Sequence, residues 1–157
     1  PDPDRAAALA AGMQVVESPD GCDLKAPGAT VSLALSEARA RPPAGSTPTA
    51  VCGYRGGWLA ESATLDEAEA ARLAATLDTL PPFVESVWSS PSGDPADSAG
   101  SLWLVALDDA GSIRVYGGKA SVVVDEQGRR ARIGDELGPL LWGYATGPAS
   151  WSSGLGL

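Results

Sequence analysis

The 157 residues contain no histidine and no asparagine, and only two lysines (Lys25 and Lys119) and two cysteines (Cys22 and Cys52). Without imidazole, Ser-His-Asp and Cys-His arrangements are impossible, and the side chain most often used as a general base is missing. Without asparagine there is no N-glycosylation acceptor. Two thiols fall short of the roughly four nitrogen or sulfur ligands of a zinc site, and they lack Cys-x-x-Cys redox spacing. Neither a metal nor a cofactor is expected. There is no signal peptide, twin-arginine stretch or bilayer-length apolar run, so membrane attachment is expected only through an anchor or span outside this sequence. Positive charge is scarce too: 20 acidic residues face 11 basic ones, a net charge of −9, and only Arg129, Arg130 and Arg132 cluster. Nucleic acids and anionic lipids need a dense basic patch, so neither is an expected partner.

What is present is globular. The chain is 44% hydrophobic and 20% charged, which fits one α+β domain over residues 1–146 with a loose tail at 147–157. Abundant Ala, Gly, Pro, Asp and Arg match GC-rich codons and point to a high-GC bacterium. Cys22 follows Asp20-Gly21 in a turn-like stretch, where an exposed thiol is open to oxidation unless already paired. A Cys22–Cys52 disulfide is the expectation, with two unrelated free thiols as the alternative. The disulfide implies an exported chain, secreted or anchored at the cell surface. The sequence starts at Pro1 rather than methionine, which fits either removed export signals or a trimmed cytosolic start.

Local patterns supply the elements. Residues 1–12 read as a polar start with a short alanine-rich turn, and 13–18 as strand-like. Residues 29–38 alternate apolar and polar as a half-buried strand does, and 39–48 form a proline-rich connector. Residues 49–54 and 58–62 read as a hairpin across a glycine turn. A helix is expected over 64–80, opened by a Thr64-x-x-Glu67 capping box, striped by Ala70, Leu73, Leu77 and Leu80, and stopped by Pro81-Pro82. Residues 89–100 form a loop. The next strand, 101–107, is apolar on both faces and therefore central. Strands at 112–118, 119–125 and 129–133 extend an antiparallel meander, and 135–145 reads as one helical turn followed by an extended piece. About six antiparallel strands packed on one long helix (64–80), with one disulfide, are the expected fold.

Catalytic motifs are sparse. There is no G-x-S-x-G elbow and no S-x-x-K. Gly53, Gly56 and Gly57 follow a strand but lead into another strand, unlike a phosphate loop. Tyr116 and Lys119 flank a glycine pair and read as structural. Of the paired carboxylates a glycosidase needs, Asp108-Asp109 and Asp125-Glu126 fall in hairpin turns, and Asp135-Glu136 reads as a helix cap. No acidic turn has the twelve-residue spacing of a calcium loop. No catalytic residue is expected.

Val51-Cys52-Gly53-Tyr54, Leu59, Ser62, Leu65, Leu73, Leu77, Pro81 and the hairpin 102–116 together resemble a broad group of secreted or lipoprotein-type extracytoplasmic domains from actinomycetes, over roughly residues 48–140. Members carry further cysteines after the helix and after the hairpin, where this chain has Trp88-Ser89 and Ala120-Ser121. The resemblance implies a place outside the membrane and brings no defined activity.

The tryptophans point further. Trp103 lies in the central strand and belongs to the core. Trp58, Trp88, Trp142 and Trp151, with Tyr54, are candidates for a partner-binding surface, since aromatics dominate interface anchors. A non-enzymatic extracytoplasmic domain acting through protein–protein contacts is the leading expectation. A carbohydrate-binding module for cell-wall glycans, using Tyr54, Trp58 and Trp88, is the first alternative, and a small carboxylate-dependent hydrolase the second.

Overall fold

A computed structural model describes residues 19–28, 38–83, 99–109, 111–118 and 121–146. The elements expected at 1–18 and 29–37, most of the loop 89–100, Trp88, Trp151 and the tail 147–157 lie outside the described residues. The chain forms strands β1 (Pro48–Arg55) and β2 (Trp58–Thr64), helix α1 (Glu67–Asp78), and strands β3 (Ala99–Leu107), β4 (Ser112–Gly118), β5 (Val122–Val124) and β6 (Arg130–Arg132). Helix α2 (Leu137–Thr146) follows. One antiparallel six-stranded sheet results, in the order β2-β1-β3-β4-β5-β6, so the fold is α+β. Gly56 and Gly57 both take positive φ, 56° and 81°, the geometry of a two-residue turn whose twist suits a hairpin. The doubly apolar β3 lies inside the sheet, as its composition demands.

Cross-strand register sorts the side chains into two layers. The rows Gly53, Trp103, Val115, Val123, Ala131 and Ala63, Val51, Val105, Ile113 share the face under the helices. Leu73 and Leu77 of α1, Leu80 beyond it, and Leu137 and Leu141 of α2 close this core and are all buried. Each such side chain stabilises the fold by roughly 1.5–3 kcal/mol through removal from water. The opposite face carries Cys52 and Tyr54 beside Leu102 and Leu104, and further along Tyr116, Val122 and Val124. There the Cys22–Cys52 disulfide forms, with an S–S length of 2.03 Å and Cα atoms 5.8 Å apart.

Two helices cover the sheet where one long helix was expected. The helix read at 64–80 is shorter, and its cap is Asp66: Glu69 N donates to Asp66 Oδ1 at 2.8 Å, and Asp66 N donates to Glu69 Oε2 at 2.9 Å. Thr64-x-x-Glu67 fits the same sequence pattern two residues earlier. The sheet decides between them: β2 runs through Thr64, and Leu65 N donates to Thr49 O at 2.9 Å. The C-terminus comes at Asp78 rather than at the prolines, and Arg39 donates to Asp78 O at 2.7 Å and Leu80 O at 2.8 Å. A cation there suits the helix dipole. The second correction concerns residues 135–145, expected as one helical turn and an extended piece: after a turn at 135–136 the chain is helical through Thr146. Gly138, Pro139 and Gly143 lower helix propensity, yet Pro139 falls in the first turn, where its missing amide does no harm. Leu137 and Leu141, one turn apart, gain enough burial to override the glycines. Tyr144 donates its hydroxyl to Glu69 O at 3.2 Å, tying α2 to α1.

Asp66→Ala should lower the unfolding free energy by about 1 kcal/mol, and Glu67→Ala by less than about half of that. Urea titrations of the two variants compare them directly; the reverse ranking returns the cap to Thr64.

Candidate interaction surface

Three large hydrophobic side chains stand out at the surface of the described residues: Trp58 is 59% exposed, Leu24 50% and Trp142 36%. They gather around the β1–β2 hairpin. Leu59 N donates to Leu24 O at 2.9 Å and Lys25 forms a bridge with Trp58, which sets Leu24 and Lys25 alongside the start of β2. Trp58 is the direct cross-strand partner of Arg55, and Arg55 lies over the Trp142 ring at 4.7 Å. Lys25 Nζ lies over the Trp58 ring at 5.0 Å. One face of each exposed indole therefore carries a cation, an arrangement worth roughly 0.5–1 kcal/mol at an exposed site. Arg55 also pairs with Glu61 at 2.9 Å.

Beneath this surface lies Trp103. A Cβ at Gly53 would sit 2.8 Å from Trp103 Cζ3, so glycine is required for the indole to cross β1. The Trp103 ring then meets Trp142 edge to face, with centroids 6.1 Å apart and planes at 80°. The geometry is a favoured aromatic one. It fixes Trp142, and Trp142 in turn seats Arg55.

Of the five residues the sequence nominated, the structure brings Trp58 and Trp142 to one surface. Tyr54 does not join them: it is 1% exposed and packs with Cys22 and Cys52. As residue 54 of an alternating strand it turns toward the disulfide layer, so its placement among contact residues is corrected. Its hydroxyl is buried with no hydrogen-bond partner. Burial, with a smaller contribution from the Asp23 carboxylate, raises its pKa above the usual 10.0. Trp88 and Trp151 lie outside the described residues. Sequence reasoning missed Leu24, Lys25 and Arg55. Arg55 was legible, since a two-residue Gly-Gly turn pairs it with Trp58; nothing local marks Leu24 or Lys25, which the long-range disulfide delivers.

Three of the carboxylates weighed for hydrolysis, Asp108, Asp125 and Glu126, accept backbone hydrogen bonds. Asp108 Oδ1 accepts from Thr47 N at 2.9 Å. Asp125 Oδ1 accepts from Gln127 N and Arg129 N, both at 3.0 Å, and its Oδ2 pairs with Arg129 Nε at 2.6 Å. Glu126 Oε1 accepts from Ser112 N at 2.8 Å. Ser112, Arg114, Asp125 and Glu126 line a polar cleft of about 310 Å³. Among the described residues no three metal-ligating side chains converge, and no helix is long and apolar enough to cross a membrane. Compared with protein-family models, curated proteins and solved structures, the chain matches none.

Gly53→Ala should displace Trp103, cost about 1–3 kcal/mol and alter the near-ultraviolet circular dichroism of the Trp103–Trp142 pair; an unchanged spectrum at full stability would refute the close approach. Tyr54→Phe should be neutral or stabilising by about 1 kcal/mol at pH 7, because the hydroxyl it removes has no partner. Above pH 10 the unfolded chain loses the tyrosine proton while the folded protein retains it, so stability present below pH 10.0 is lost as pH rises through the folded value. Denaturant titrations at alkaline pH should show a shallower loss in Tyr54→Phe, the rest falling to Tyr144, whose burial also raises its pKa.

Proposed function

We propose that this chain is a non-enzymatic extracytoplasmic domain that acts through protein–protein contacts made by Leu24, Trp58 and Trp142 at the hairpin end. The observation that carries this reading is the convergence of all three exposed large hydrophobics among the described residues on one hairpin. Interface cores are enriched in Trp and Arg, and energetic anchors in rigid aromatics. The disulfide fits an oxidising environment. On this reading the chain is a secreted or surface-anchored module, such as a lipoprotein or receptor ectodomain or a subunit of a surface assembly. A glycan platform is less well supported, because sugar stacking needs open aromatic faces. Tyr54 is enclosed, and Lys25 and Arg55 each occupy an indole face.

A photo-crosslinking residue at position 58, compared with one at exposed position 71 on α1, tests this in the native envelope. Position 58 should yield a discrete protein adduct that position 71 does not, and Trp58→Ala should weaken binding of that protein about thirtyfold, the weight of a hot spot of about 2 kcal/mol. The absence of any protein adduct from position 58 overturns the reading. So does a tryptophan fluorescence shift with soluble wall glycans that Trp58→Ala abolishes.

A further inference from the structure

Trp58 cannot be covered by a partner without its neighbours. Lys25 bridges Trp58, and Trp58 is the direct register partner of Arg55. Paired residues on neighbouring strands share a sheet face, so a row of cation, indole and cation crosses three adjacent segments. Lys25 Nζ lies 5.0 Å from the centre of the Trp58 ring. Whatever packs around that indole also packs on the ammonium.

The chain leaves this row short of negative charge. Among the described residues only Glu61 pairs with a cation of the row, at 2.9 Å from Arg55. Arg55 uses one nitrogen for that contact and has further donors to spare. Lys25 forms no ion pair among the described residues, although Asp23 lies two positions before it. The Asp20 carboxylate is taken by the hydroxyls of Ser62 and Thr64. In water an exposed ammonium keeps its hydration, so the imbalance costs little. Under a partner the balance changes, because a dehydrated charge is costly unless an opposite charge meets it. An apolar surface would strip water from Lys25 and return nothing. A basic surface would set like charges face to face.

We infer that the partner of this surface is a protein segment that lays an apolar side chain on Trp58 between two carboxylates, one for Lys25 and one for Arg55. The inference rests on the protein-contact reading above and specifies the chemistry of that contact. Neighbouring strands are about 4.8 Å apart, so the backbones of the two cations stand about 10 Å from each other. In an extended segment, the residues two positions before and after a central one share its face, each about 6.7 Å away. An acidic residue two positions to either side of an apolar one therefore matches the row, and the long Lys and Arg side chains close the remaining gap. The chain's net charge of −9 does not forbid such a partner. At physiological ionic strength, charges more than about 8 Å apart are largely screened, so the cations of the row decide.

Titration of the full chain at about 0.15 M salt with three end-blocked peptides tests this: Glu-Ser-Phe-Ser-Glu, Gln-Ser-Phe-Ser-Gln and Lys-Ser-Phe-Ser-Lys. The readout is the Trp58 indole N–H resonance, assigned through Trp58→Phe. The acidic peptide should shift it and bind at least about fivefold more tightly than the neutral one, and the basic peptide should leave it unmoved. Lys25 is exposed, so reversing its charge leaves the core untouched. Lys25→Glu should weaken binding of the acidic peptide at least about tenfold and admit the basic one, while Lys25→Arg keeps the original order. No shift with millimolar acidic peptide overturns the inference, as do equal affinities for the acidic and neutral peptides. A Lys25-dependent shift with phosphatidylglycerol vesicles overturns it in favour of an anionic membrane. Crosslinking from position 58 separates the two readings: a protein adduct whose yield Lys25→Glu leaves unchanged refutes the acidic segment and upholds the protein contact.

Discussion

The Cys22–Cys52 bond is the constraint on which the outer half of this structure depends. It is the covalent tie between β1 and residues 20–26, a strap whose hydrogen bonds to the β1–β2 hairpin lie on either side of it. Leu24 reaches Leu59 and Lys25 reaches Trp58 with Cys22 fixed two and three residues before them. Asp20 reaches Ser62 and Thr64 from the other side of the same anchor. In the chain-entropy picture, closing a loop of this length stabilises the fold by roughly 3–4 kcal/mol. The hydrogen bonds made by Leu24, Ala26 and the Asp20 carboxylate, at about 1 kcal/mol each, are together of similar size. The disulfide and the contacts on either side of it therefore hold these residues together.

The inner half is organised by a different close contact. Gly53 lets Trp103 lie across β1, and from there a continuous series runs outward through Trp142 and Arg55 to Glu61. Packed interiors transmit displacement because they contain few voids. A side chain added at Gly53 would thus be felt at the surface by way of two indoles. The same series explains why Trp142 is partly exposed although α2 is an apolar helix: its ring closes the core on one side and carries a guanidinium on the other.

Much of this was legible in the sequence. The doubly apolar run at 102–107 marked a strand inside the sheet, the glycine turn marked the hairpin of 49–54 and 58–62, and the leucine stripe marked the buried face of α1. Exclusion of other ligand chemistries left the disulfide as the best use of Cys22 and Cys52. The failures have physical causes. Two capping boxes overlap at 64–69, and the choice between them rests on where β2 stops pairing with β1, a long-range matter. Helix α2 was hidden by Gly138, Pro139 and Gly143, whose unfavourable local propensities are outweighed by burial of Leu137 and Leu141. Tyr54 was misplaced because a residue's side of the sheet depends on register: its neighbour Arg55 faces the surface series, while Tyr54 itself faces the disulfide.

These two halves bear on each other at the hairpin. Leu24 and Lys25 of the proposed contact surface belong to the strap, whereas Trp58 and Trp142 belong to β2 and α2. Moving the strap off β2 would remove the first pair from the second and strip the cation from the Trp58 ring. On the proposed reading, the contact surface at the hairpin end therefore depends on two separate ties, the Cys22–Cys52 bond that delivers Leu24 and Lys25 and the Trp103–Trp142 contact that seats Arg55.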